Sequence, residues 1–301
     1  MDFKNALLFV ARTLTISTNE KNKIWVEYMI KENHVCWDNV VIQSTKHYVL
    51  PAHYINLRKN HLLQYLPKKL ELFMAHINSL NRDRNRAIIK QAKEINNLLI
   101  SNNITPVFIK GTAFILQNLY DDISERMIGD IDFIVPKKDC LKAYAILCRD
   151  GYLRQNYDSI SGILTDFRHL PRVIRKDRIA AVEIHHELLN KRYRKEFNYH
   201  IISKNIIKTS NNFNFLSYNN QVSMSIIACQ VNSGDSIYLN KLRLRNSYDI
   251  FLLSKKTNTH EAIKKFKKLY HPLNNYLALS MYLLNDDSIK VKETPTSNKA
   301  I

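Results

Sequence analysis

The chain has 301 residues, 45% of them hydrophobic, with only 5 Gly and 7 Pro, a composition that supplies a buried core and excludes collagenous, low-complexity and linker-dominated classes. Lys and Arg total 45 against 27 Asp and Glu, and the formal charge of +18 favours polyanionic partners such as nucleic acid, nucleotides or an acidic protein. An AT-rich genome, which inflates Lys, Asn and Ile together, produces the same excess, so charge alone does not decide the partner.

At the N-terminus Ala6 to Ala11 is apolar, but Arg12 ends the run and no small-residue cleavage site follows, which argues against a signal peptide. No stretch approaches the roughly 20 apolar residues of a membrane span, so a soluble cytoplasmic protein with no membrane partner is expected. Four scattered cysteines, Cys36, Cys140, Cys148 and Cys229, lack metal-ligand spacing and read as reduced, mostly buried thiols. Residues 1–100 contain no Gly, and Ile88, Ile89, Ala92, Ile95, Leu98 and Leu99 recur on one helical stripe, which predicts a helical N-terminal region.

From Pro106 the pattern changes. Val107, Phe108 and Ile109 predict a short strand, Lys110-Gly111 a tight turn, and Thr112 to Tyr120 a helix. After a polar loop from Asp121 to Arg126, a second strand runs from about Gly129 to Val135 and is closed by Pro136. Leu141, Tyr144, Ala145, Leu147 and Cys148 then recur at helical spacing, with Gly151 where a left-handed cap is expected. Two or three more strands are predicted between Tyr152 and Leu189, with a hairpin turning near Lys176-Asp177. The last, Ala180 to His186, puts Val182 and Ile184 on one face, Glu183 and His185 on the other, and His186 opposite His185. Helix-like patterns return at 222–231, 248–253 and 260–270, and the tail from Asp286 reads as frayed. The expected division is a helical region over 1–100, a core over 101–195, a C-terminal helical region over 196–285 and a tail over 286–301.

Asp130 and Asp132, two apart on a strand, project from the same face and repel each other unless a cation intervenes. Carboxylate oxygens are the ligands Mg²⁺ prefers, and Mg²⁺ completes its shell with water and substrate phosphates. Gly111-Thr112 at a strand-to-helix turn allows close backbone approach to phosphate, and the Thr112 hydroxyl adds a donor. Lys110 and Arg126 flank the turn and the acidic pair, where each could neutralise triphosphate charge. Glu183 supplies a third carboxylate, as a two-metal displacement requires.

Lys110-Gly111-Thr112, Tyr120, Arg126, the segment Gly129-Asp130-Ile131-Asp132-Phe133-Ile134-Val135, and Glu183-Ile184-His185 together resemble the uncharacterised nucleotidyltransferase family of the polymerase-beta-like superfamily, over roughly residues 85–255. The resemblance implies an α+β fold, a polymerase-beta-like core with a small mixed sheet flanked by N- and C-terminal helical regions. It also implies that Asp130, Asp132 and Glu183 hold Mg²⁺, that Gly111-Thr112 holds the triphosphate, and that an NTP is the substrate. Three departures from the superfamily stand out: Thr rather than Ser or Gly follows Gly111, the gap from there to Asp130 is longer than usual though the uncharacterised family tolerates it, and Glu rather than Asp occupies position 183.

Each element has a plainer reading. Lys110 and Arg126 could be salt-bridge partners of the aspartates, and His185, which could orient Glu183 from outside the ligand set or touch the nucleotide, could equally be a half-buried histidine bonded to backbone. Lys241, Arg243 and Arg245, like Arg82, Arg84, Arg86, Lys90 and Lys93, could be solvated faces; the second run matters only if it borders the acidic site. His185-His186-Glu187 is not a zincin motif, because Asn190 stands at the needed second histidine. The expected activity is Mg²⁺-dependent transfer of a nucleoside monophosphate from an NTP to a hydroxyl acceptor, which could be protein, RNA or a small molecule. The alternatives are a non-catalytic nucleotide- or RNA-binding module, and a modifying toxin or antitoxin component favoured only by the positive charge. The oligomeric state is left open.

Overall fold

A computed structural model describes residues 1–155, 167–231 and 242–295. Before the sheet come α1 (Phe3–Thr13), α2 (Glu20–Lys31), α3 (Trp37–Lys46), α4 (Leu50–Lys59) and the 33-residue α5 (Lys68–Ile100). Asp2 and Asn19 accept the free amides at the starts of α1 and α2, which fixes those helix boundaries. The predicted stripe lies on α5, where Ile88, Ala92, Ile95 and Leu99 are fully buried.

The sheet is mixed, with strand order β3-β4-β5-β2-β1-β7-β6. Its strands are β1 (Val107–Phe108), β2 (Asp130–Ile134), β3 (Leu153–Arg154), β4 (Val173–Ile174), β5 (Ala181–His185), β6 (Ile206–Lys208) and β7 (Asn214–Leu216). Central β2 runs antiparallel to β1 and parallel to β5, in a register that sets Asp132 beside Glu183 and Ile134 beside His185. Strand alternation divides the two faces. Ile131, Phe133, Val182 and Ile184 join α5 and α7 (Lys137–Arg149) in one core, whereas Val107, Ile109 and Ile134 join a larger core shared by the N-terminal and C-terminal helices. Gly151, at φ +90, closes α7 in the left-handed conformation read from the sequence.

Several boundaries differ from the sequence reading. Helix α6 (Lys110–Leu116) stops four residues before Tyr120, because Asn118 adopts a left-handed φ of 54. The region after 195 is not purely helical: α8 (Tyr199–Ser203) leads into the β6–β7 hairpin, and β7 joins β1 in parallel. Beyond α9 (Tyr218–Gln230) and α10 (Leu244–Ser254), the single helix expected over 260–270 is replaced by α11 (Thr259–Ile263) and α12 (Tyr270–Leu284). The described part of the tail is packed rather than frayed, since Ile289 is buried and the carbonyls of Lys290 and Lys292 accept from Thr259 and Asn274. Lys241 lies outside the described residues.

Candidate active site

Because β2 and β5 are adjacent and parallel, their same-parity side chains share a face, and Asp130, Asp132, Glu183 and His185 meet there. Lys110 Nζ lies 2.6 Å from Asp132 Oδ1 and 3.7 Å from Glu183 Oε2. His185 Nε2 lies 2.8 Å from the same Asp132 oxygen and 3.6 Å from Glu183. A cation the sequence reading missed, Arg172, contacts Glu183 Oε1 through Nε at 3.1 Å and Nη2 at 2.7 Å, and reaches Asp130 Oδ2 at 3.1 Å. Three carboxylates therefore face one lysine and one arginine.

The electrostatics follow that imbalance. Burial, then repulsion by Asp132 and Glu183, raises Asp130 to about 6 against the pull of Lys110 and Arg172. Burial also disfavours charge on Asp132 and Glu183, but Lys110 and His185 outweigh it and hold both below the usual carboxylate range. Asp132, Glu183 and His185 offer ligand atoms within 4.8 Å of one another, a set that could hold a metal ion. Asp130 stands outside that group, and His185, read from sequence as an outer neighbour, stands inside it.

Lys110 is left-handed at φ 56, a conformation that costs a non-glycine residue about 1 kcal/mol. The special backbone therefore falls on Lys110 and not on the glycine after it. A Cβ at Gly111 would come within 3.3 Å of Ile128 Cγ1 and 3.5 Å of Arg126 Cζ, so this glycine makes room for the neighbouring side chains. Thr112 is fully buried and its hydroxyl donates to the Asp130 carbonyl at 2.9 Å, which ties α6 to β2 and commits the donor that the sequence offers to phosphate.

Arg126 also differs from its expected part. It is 5% exposed and makes two contacts to Asp249 on α10, Nε at 2.8 Å and Nη2 at 2.9 Å, while Tyr120 donates a short hydrogen bond to the same carboxylate. Its charge is thus neutralised by an aspartate 123 residues away, a pairing without a local sequence signal. Beside it opens a cleft of about 190 Å³ bounded by Lys110, Gly111, Asp130 and Asp132 on one side and by Ser225, Arg245 and Asn246 on the other. Arg245 Nε and Ser225 Oγ are buried without partners among the described residues. Arg245 is therefore not part of a solvated stripe. Its guanidinium lies over the Tyr48 ring and donates to the Met127 carbonyl at 3.1 Å. On α5, Arg84 donates to the carbonyls of Ile128 and Gly129, so that basic run does border the acidic strand.

A family model described as uncharacterised nucleotidyltransferase matches residues 33–284, most of the chain. The chain belongs to this family. The match extends beyond the 85–255 resemblance into the α3–α4 helices and α12, so the nucleotidyltransferase family pattern includes the helices that share a core with the sheet. A comparison with curated proteins gave no match. Among the described residues, no helix is long and apolar enough to cross a membrane.

Proposed function

We propose that this nucleotidyltransferase moves a nucleoside monophosphate from an NTP to a hydroxyl acceptor and releases pyrophosphate. The observation that carries the reading is the convergence of Asp130, Asp132 and Glu183, which among the described residues only Lys110 and Arg172 contact as cations, at the edge of a cleft. The donor set fits a divalent cation: carboxylate oxygens suit Mg²⁺ or Mn²⁺, and the His185 imidazole stands beside them. Asp132 and Glu183 would hold it, with Asp130 as the third carboxylate. Bound there, the ion would neutralise triphosphate charge and favour the ionised form of the acceptor hydroxyl.

The chain's own groups do the rest. Lys110 and Arg172, both partly exposed, can turn from the carboxylates to the triphosphate oxygens. Both Arg126 and Arg245 line the cleft; Arg245, whose Nε has no partner among the described residues, supplies the further cation, whereas Arg126 is paired with Asp249. The acceptor oxygen forms a bond to the α-phosphorus, the bond from that phosphorus to the bridging oxygen breaks, and the hydroxyl proton passes to the carboxylate cluster, Glu183 among it. The charge of +18 supports a polyanionic acceptor such as RNA or an acidic protein.

The test is incubation of cell extract with each α-labelled triphosphate and either the wild-type chain or an Asp130→Asn/Asp132→Asn double variant. Labelling of a macromolecule by the wild type alone is expected. Equal labelling by both discards the mechanism, and triphosphate binding without any labelling favours the non-catalytic module.

A further inference from the structure

A second cavity, of about 310 Å³, lies at the carboxyl ends of β2 and β5 and shares no lining residue with the acidic cleft. Register explains its place. Past the pair Ile134 and His185, the two parallel strands leave the sheet side by side, one into α7 at Lys137 and the other into His186-Glu187. Crevices beyond the carboxyl ends of parallel strands are where open α/β sheets take ligands.

Its lining is open and largely apolar in surface, but it carries buried polar atoms that nothing among the described residues satisfies. His186 is 2% exposed, yet neither ring nitrogen has a partner among the described residues. Glu187 Oε2 is likewise buried and unpartnered. Such groups destabilise the fold when nothing satisfies them, and a bound ligand would relieve that cost. Lys137, the first residue of the 13-residue α7, lines the same cavity, and Pro136 before it provides no side-chain cap for the first-turn amides. Arg194 and Lys195 bring two further cations, and Tyr199 an aromatic ring. Asp139, in the same turn of α7, does not itself line the cavity, although its charge reaches Tyr199, which does.

We propose that this cavity is a second phosphate site that takes the phosphate of a nucleotide, held between the N-terminal end of α7, the cations Lys137 and Lys195, and the unpartnered imidazole of His186. A helix N-terminus without a side-chain cap, its Asp139 amide turned back to the Pro136 carbonyl, and flanking lysines recognise the dianion. Glu187 is available to a sugar hydroxyl and Tyr199 to a base. The site stands apart from the acidic cleft, so its occupancy requires neither a divalent cation nor turnover.

The experiment is calorimetric titration of the full chain in EDTA with AMP, inorganic phosphate and adenosine. The wild type and the Asp130→Asn/Asp132→Asn variant are expected to bind one AMP saturably, with competition from inorganic phosphate and none from adenosine. Lys137→Glu with Lys195→Glu, both at exposed positions, is expected to weaken AMP at least tenfold with an unchanged melting temperature. The proposal is overturned if neither phosphate-bearing probe binds saturably, if adenosine competes as well as phosphate, or if the charge reversals leave AMP affinity intact.

Discussion

Two charge clusters meet around Gly111, and they are built differently. Arg126 and Asp249 form a closed pair, one guanidinium against one carboxylate with side chains 6% and 1% exposed, completed by the Tyr120 hydroxyl. The acidic cluster is open. Arg172 and Asp130 are 41% and 32% exposed, and among the described residues the three carboxylates make ion pairs with two cations, Lys110 and Arg172. A closed pair holds elements together and offers a substrate nothing, whereas an open, unbalanced cluster retains affinity for a further positive charge. Arg126, which the sequence alone places among phosphate ligands, has its charge matched by Asp249.

Breaking the closed pair should produce the largest effect. Asp249→Ala leaves Arg126 buried and unpaired, and a loss of about 3–5 kcal/mol is expected in a urea titration; a loss below 1 kcal/mol would put Arg126 back among the groups free for substrate.

His53 sharpens the contrast, as a buried ionisable group kept uncharged. It is fully buried beside Phe9, neither ring nitrogen has a partner among the described residues, and burial pushes it down to about 3. Between pH 6.5 and 3 the unfolded chain binds a proton there that the folded chain refuses, so stability falls as pH falls through that window. By pH 5 the loss reaches about 2 kcal/mol relative to neutral pH. The denaturation midpoint of His53→Phe minus that of wild type should grow on acidification; a constant difference would contradict the neutral assignment.

The smallest effect is expected at Thr112. Thr112→Val removes the hydrogen bond to the Asp130 carbonyl, at a cost of about 1 kcal/mol. Nucleotide affinity should change less than threefold, and a tenfold loss would restore Thr112 to the phosphate ligands.

What could be read beforehand follows from range of interaction. The acidic strand, the turn at Gly151 and the shared face of Glu183 and His185 depend on neighbours within a few residues and on strand alternation, and the structure agrees with each. Arg172, Arg245 and Asp249 gain their places only through tertiary packing, and nothing near them in sequence marks them. The β6–β7 hairpin is two three-residue strands stabilised by pairing with β1, too short for periodicity to register. Lys110 misled for another reason. A lysine carries no signal for a left-handed turn when a glycine stands next to it, so the expectation fell on Gly111.

The most direct measurement is Mn²⁺ binding followed by electron paramagnetic resonance, with ATP present, on wild type and Asp132→Asn. Saturable binding in the wild type that weakens at least tenfold in the variant is the predicted result. Equal affinity in the two proteins would contradict an acidic cluster that holds the metal.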